Sequence, residues 1–197
     1  MQQFPRRFFA LALSLISFTV FAFSLPAFST PAQTAVNSSE AVGPKIAATA
    51  QACLGKKMWL GYGLKTGYLG CAAAVSNVLK KAGSSAGHSA AVTQLRNQLL
   101  ASKCAREFII RRGPKEELLD SKLNSIARPG DIVLAFAKPP ESDWNGGGNA
   151  HCGILSAATE ICTNDWNDGI WKKLNIHLMF DYYPYLRIIR IDRLSSH

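Results

Sequence analysis

Cys71 stands between a glycine-containing approach, Gly67-Tyr68-Leu69-Gly70, and a helical repeat of apolar residues, Ala72, Val75, Val78, Leu79 and Ala82, with Gly83 placed as a C-cap. A thiol there sits on the first turn of a helix. The unpaired N–H groups and positive dipole end of that turn favour thiolate over thiol and can hold an oxyanion. A thiol nucleophile also needs a base, and the base needs a partner on its second ring nitrogen. The chain has four histidines. His197 is terminal, His88 lies in a Gly-Ser-rich connection, and His177 lies among large apolar residues. His151 opens a short apolar strand directly after Gly146-Gly147-Gly148, where a side chain can project from rigid backbone into a cleft. Asn164 follows 13 residues later (164 − 151) and suits a hairpin neighbour reaching the same end of the sheet. Asp165 stays open as the alternative third residue, and the run from Asn164 to Gly169 also reads as a plain Asn/Asp turn.

These residues need elements to position them. Residues 45–57 carry Ile46, Ala47, Ala50 and Leu54 at helical spacing, and a loop with four glycines runs from Trp59 to Gly70. The spacing predicts helices over 71–82 and from Ser89, as N-cap, to Ser102. Phe108-Ile109-Ile110 reads as a strand, and Lys115 to Leu123, after Pro114, as one or two helical turns. The turn Pro129-Gly130-Asp131 launches a buried strand, Ile132 to Phe136. Ala150 to Leu155 and Ile161 to Asn164 form a hairpin, with Gly146 to Gly148 as a rim beside it. A last strand, Leu186 to Ile191, has Arg187, Arg190 and Arg193 towards solvent. Helices first and an antiparallel sheet second give an α+β fold.

The 197-residue chain opens with Arg6 and Arg7, an apolar run from Phe8 to Leu25, and small Ala27 and Ser29 before a plausible cut. This reads as a signal peptide over 1–29, with an uncleaved anchor as the alternative, and places the rest outside the cytoplasm, secreted or periplasmic. Residues 30–44, rich in Ala, Ser, Thr and Pro, read as a flexible leader, and 45–197 as one domain. Subtracting Arg6 and Arg7 from the formal charge of +9 leaves +7. The basic pairs are scattered, so contact with an anionic cell envelope is compatible and nucleic acid is not expected. Five cysteines in an exporting chain suggest four pairing and one spared, with Cys152–Cys162 and Cys53–Cys104 as the expected bridges, or several buried and reduced. Ligand spacings do not suit zinc, and no metal or cofactor is expected.

Gly61-Tyr62-Gly63, then Leu69 to Gly83 around Cys71, then Arg128-Pro129-Gly130-Asp131-Ile132-Val133 and His151-Cys152-Gly153-Ile154 together resemble the papain-like cell-wall hydrolases of the NlpC and CHAP groups. The resemblance covers roughly Trp59 to Ile191 and rests on the order and spacing of these motifs. It implies a papain-like domain in which N-terminal helices pack on a C-terminal antiparallel sheet. It also implies Cys71 as nucleophile, His151 as base and Asn164 as orienting residue. Tyr62 would line the substrate cleft, with Tyr68 and Gly70 beside the cysteine as further substrate-binding candidates. The implied activity is hydrolysis of amide bonds in peptidoglycan stem peptides, or of the bond linking stem to glycan; a monomer is expected. The run Gly70-Cys71-Ala72-Ala73 departs from the Asp-Cys-Ser-Gly of NlpC enzymes. That departure keeps a second expectation open, a catalytically weak or inactive wall-binding module of the same fold.

Overall fold

A computed structural model describes residues 41–112, 120–142 and 149–194, all within one compact unit, Ser38–His197. The expected signal peptide, the leader up to residue 40, the helical turns over 115–119 and the glycine rim at 146–148 lie outside the described residues.

Helix α1 spans Val42–Ala52, three residues earlier than the sequence suggests. Pro44 enters it without penalty, because an N–H in the first turn has no intrahelical acceptor to lose. Helix α2 spans Cys71–Lys81, and every residue from Cys71 to Ser76 is buried. It ends where Gly83 takes φ +92° and Ser84 N–H donates to Leu79 O at 3.0 Å, and Lys80 and Lys81 in its last turn complement the dipole. Helix α3 spans Val92–Ala101, starting later than expected. Ser89 does not cap it, because its hydroxyl is spent on Ala91, accepting from the N–H at 3.0 Å and donating to the C=O at 3.2 Å, while Ser76 Oγ on α2 holds its backbone.

The sheet has six strands: β1 Ala105–Arg111, β2 Ile132–Phe136, β3 Ala150–Leu155, β4 Glu160–Asn164, β5 Trp171–Asn175 and β6 Tyr185–Ile191. Their order is β1-β6-β2-β3-β4-β5 with every neighbouring pair antiparallel. Two short helices, α4 Asp120–Ile126 and α5 His177–Phe180, complete an α+β fold. Strand alternation sends Leu134, Cys152, Ile154 and Cys162 into a core with Ile46, Val75 and Leu79 from α1 and α2. Val133, Ala135, Ile161 and Ile188 point to a second core with Leu123 of α4 and Phe180 of α5. Among the described residues no helix is long and apolar enough to cross a membrane.

Three expectations need correction. Arg187 is not on an exposed side: it is 5% exposed and bonds Glu141 at 3.0 Å. Neither expected disulfide forms, and all five cysteines are buried free thiols. The register explains part of this, since Cys162 lies opposite Ile154 and not opposite Cys152, while Cys104 Sγ accepts a hydrogen bond from Arg193 Nε at 3.4 Å. The segment from Trp171 to Phe180, read as no element, supplies β5 and α5.

The turn before β2 locks the start of α1 in place. Gly130 has φ +90°, and a Cβ on it would lie 2.0 Å from Gly43 O. Gly130→Ala is expected to lose roughly 2–5 kcal/mol of unfolding free energy, from left-handed strain plus forced displacement of α1. Urea denaturation of the two proteins measures it.

Candidate active site

Cys71 is the first residue of α2, with Gly70 as the cap residue and Ala74 N–H donating to Gly70 O at 2.8 Å. The helix is anchored from outside by Asn77, whose Nδ2 donates to Met58 O at 2.6 Å and Leu60 O at 2.9 Å. These bonds fix the loop leading to Cys71 relative to the helix that carries it. His151 is the second residue of β3 and is 4% exposed. Its ring packs against Trp166 and Phe180, each with centroids 5.4 Å away. By strand alternation His151 belongs to the α5 side of the sheet, whereas α2 covers the other side. The two side chains meet where β3 begins, in one cavity of about 270 Å3 that Tyr68, Leu69, Asn149, Trp166 and Tyr183 also line.

The partner of the His151 ring is Thr163. Thr163 Oγ1 lies 2.8 Å from His151 Nε2 and donates to Cys152 O at 2.7 Å. A hydroxyl has one proton, and here it goes to the carbonyl. Thr163 Oγ1 therefore accepts from Nε2–H, which leaves Nδ1 with the lone pair that a base requires. Gly153 stands opposite Thr163 in the β3–β4 register and lets β4 approach closely. Any Cβ there would lie 2.7 Å from Cys162 O and 2.8 Å from Ile161 Cγ1.

Asn164, the expected orienting residue, sits one position along β4 and therefore faces the opposite side. Its Nδ2 donates to Gly67 O at 2.7 Å. Asp165, the alternative, is held by Lys172 at 2.8 Å, which keeps its carboxyl below the usual range against the opposing effect of burial. Neither bonds His151. Both instead pin the loop in front of Cys71 and the turn after β4. Of the expected substrate-binding residues, Tyr68 is 65% exposed on the cavity rim. Gly70 is buried, packed against Trp59. Tyr62 packs against His88 with centroids 4.6 Å apart and its hydroxyl hydrogen-bonded to His88 Nδ1 at 2.6 Å, away from the cavity lining.

The electrostatics favour an ionised nucleophile. The Cys152 thiol donates to Cys71 sulfur and is the largest influence on it. Burial opposes ionisation, but a hydrogen bond to His151, its positive charge and the Ala72 N–H hold Cys71 well below the usual thiol range. Cys152 is driven the other way, by burial and then by the neighbouring Cys71, so it remains the donor. Tyr183 is pushed up to about 12, first by burial and then by the negative charge of Cys71. Its hydroxyl stays protonated and donates to Asn149 Oδ1 at 3.3 Å. Sequence reasoning missed Thr163, Cys152 and Tyr183. Cys152 and Thr163 were accessible in principle from strand alternation, Tyr183 only from the packing of α5. Among the described residues no group of His, Cys, Asp and Glu could hold a metal ion.

No family model matches the sequence, and no curated protein does. Its structural neighbours are NlpC proteins. NlpC2 from Trichomonas vaginalis is 16% identical, with a TM-score of 0.43 over 79% of this chain and 48% of its own. NlpC1 from the same organism is 17% identical, with a TM-score of 0.39 over 80% of this chain and 44% of its own. The chain thus spans less than half the length of either neighbour. The functional reading is accordingly built on Cys71, His151 and Thr163 themselves.

Thr163→Val removes the acceptor for Nε2–H at nearly constant volume. It is expected to lower kcat/KM on the order of a hundredfold through loss of ring orientation, with Thr163→Ser retaining most of the activity. Steady-state assays of both variants on one peptide substrate make the comparison.

Proposed function

We propose that this protein is an exported cysteine amidohydrolase that cleaves amide bonds of peptidoglycan stem peptides. The observation that carries the reading is a thiol at the first residue of a helix, in one cavity with a histidine whose Nε2 is held by Thr163. The substrate class comes from the motif resemblance to NlpC and CHAP hydrolases, and export from the apolar N-terminal run.

In this reading the Cys71 thiolate attacks the amide carbon, forming a C–S bond while the carbonyl π electrons move onto oxygen. The N–H of Cys71 and a second donor from the first turn of α2 hold that oxyanion. His151, protonated on Nδ1, passes its proton to the leaving amine as the C–N bond breaks. Water, with its proton taken by the same nitrogen, then hydrolyses the thioester and restores Cys71. Thr163 keeps Nε2–H occupied throughout, so the proton moves only through Nδ1.

The alternative, a wall-binding module without turnover, is motivated by Ala72 and Ala73. Both are fully buried in the packing of α2, where a serine hydroxyl would need a partner. Mass spectrometry of muropeptides after digestion by wild type and by Cys71→Ala separates the two. New, Cys71-dependent products support hydrolysis and identify the bond. Sedimentation with peptidoglycan, equal for both proteins and without products, supports the module.

A further inference from the structure

The cavity holding Cys71 and His151 continues into a second hollow of about 390 Å3, sharing Asn149, Trp166 and Tyr183 and adding Leu178 and Tyr182. Of the seven large hydrophobic side chains that stand exposed among the described residues, four line these two hollows. Tyr182 is 77% exposed, Leu69 68%, Tyr68 65% and Leu178 62%. Single exposed apolar residues are ordinary, but a contiguous set around a reactive centre marks a binding surface. The same two hollows are lined by no Asp, Glu, Lys or Arg among the described residues. Their polar groups are the Asn149 amide, tyrosine hydroxyls, the Trp166 indole N–H and the Cys71–His151 pair at one end. The cationic side chains of this basic chain gather elsewhere, for example Arg106, Arg128, Arg190 and Arg193 around a cavity at the start of α1.

From this geometry we infer that the groove running from Cys71 over Trp166 and Tyr183 to Leu178 and Tyr182 seats an uncharged apolar side chain next to the scissile amide. A carboxylate or ammonium seated at the far end, among Trp166, Leu178 and Tyr182, would meet no Asp, Glu, Lys or Arg among the described lining residues, so nothing there offsets the water it sheds. An aliphatic or aromatic group removes apolar surface from water on both partners and is selected by burial. The inference rests on Cys71 and His151 being a hydrolytic pair, and it names the substrate feature that the pair would act beside.

The test uses blocked tripeptide amides of one frame, with Leu, Glu or Lys at the central position. Two quantities are read: protection of Cys71 from iodoacetamide, which needs no turnover, and kcat/KM. The inference expects the Leu peptide to protect and to be cleaved at least tenfold better than the Glu and Lys peptides. Leu178→Arg, an exposed position, should reverse the order of the Leu and Glu peptides. Protection by all three peptides within threefold, or by none, overturns the inference. So does a Leu178→Arg variant that leaves the order unchanged. Cys71-dependent cleavage with no side-chain preference overturns the groove assignment and leaves the hydrolase standing. Selective protection by the Leu peptide without cleavage of peptides or muropeptides upholds the groove and removes the hydrolase.

Discussion

Cys71→Ala is expected to release no muropeptides above the uncatalysed background while keeping the wild-type fold. The side chain is buried, at 8% exposure, but only its sulfur is lost, which opens little volume in the α2 packing. What remains without the sulfur is binding and the helix N–H donors. In thiol and hydroxyl hydrolases generally, that residue of catalysis amounts to about 10³–10⁴ over water and lies orders of magnitude below the intact enzyme. His151→Ala should fall nearly as far, and the double variant little further, because a nucleophile and its base act as one unit. Product quantification on purified peptidoglycan with the three variants reads this non-additivity directly. Additive losses would mean that the two side chains work independently.

The largest stability effect is expected from Trp171→Ala, at about 3–5 kcal/mol, which is on the order of 2 M in urea midpoint. Trp171 is fully buried, and its Nε1 donates to Ala50 O at 2.9 Å. Its backbone bonds both Gly55 and Lys56, each at 2.9 Å, tying β5 to the segment after α1. Removing the indole leaves a cavity between α1 and the sheet and takes from Ala50 O the shorter of its two hydrogen bonds, the other coming from Cys53 N–H at 3.3 Å. Trp171 also pairs with Asn164 at the end of β4, so the strand that presents Thr163 loses support. The variant should therefore lose activity at temperatures well below its own unfolding midpoint. A thermal melt run alongside activity at each temperature tests this, and a parallel decline of both would show that β4 unfolds only with the whole.

Much of this arrangement was legible in the chain. The α2 repeat placed Cys71 on a helix start, and the Pro-Gly-Asp turn placed β2. The apolar run after the glycines placed β3 with His151 at its mouth. The failures have physical causes. Asn164 was weighed only against Asp165 and placed by hairpin distance on the face of His151, which the actual register gives to Thr163; one residue along a strand turns a side chain to the other face. The β5 strand hides because Lys172 and Lys173 give it the polar look of an edge, with Trp171 alone carrying its burial. Arg187 reads as solvent-facing until Glu141, distant in sequence, closes over it. Cys152 was paired with Cys162 because the two lie on neighbouring strands of a hairpin, whereas the packing of β3 on α2 sets it beside Cys71.

One measurement reaches the centre of this account: the rate of Cys71 alkylation by iodoacetamide as a function of pH, followed by intact mass, for wild type and His151→Ala. Thiolate is the reacting form, so the rate falls only as pH drops through the thiol's own titration. The account predicts that wild-type Cys71 still reacts rapidly at mildly acidic pH and that His151→Ala moves the titration upward towards the ordinary thiol range near ~8.5. A wild-type profile already centred near ~8.5, unmoved by loss of the imidazole, would contradict it.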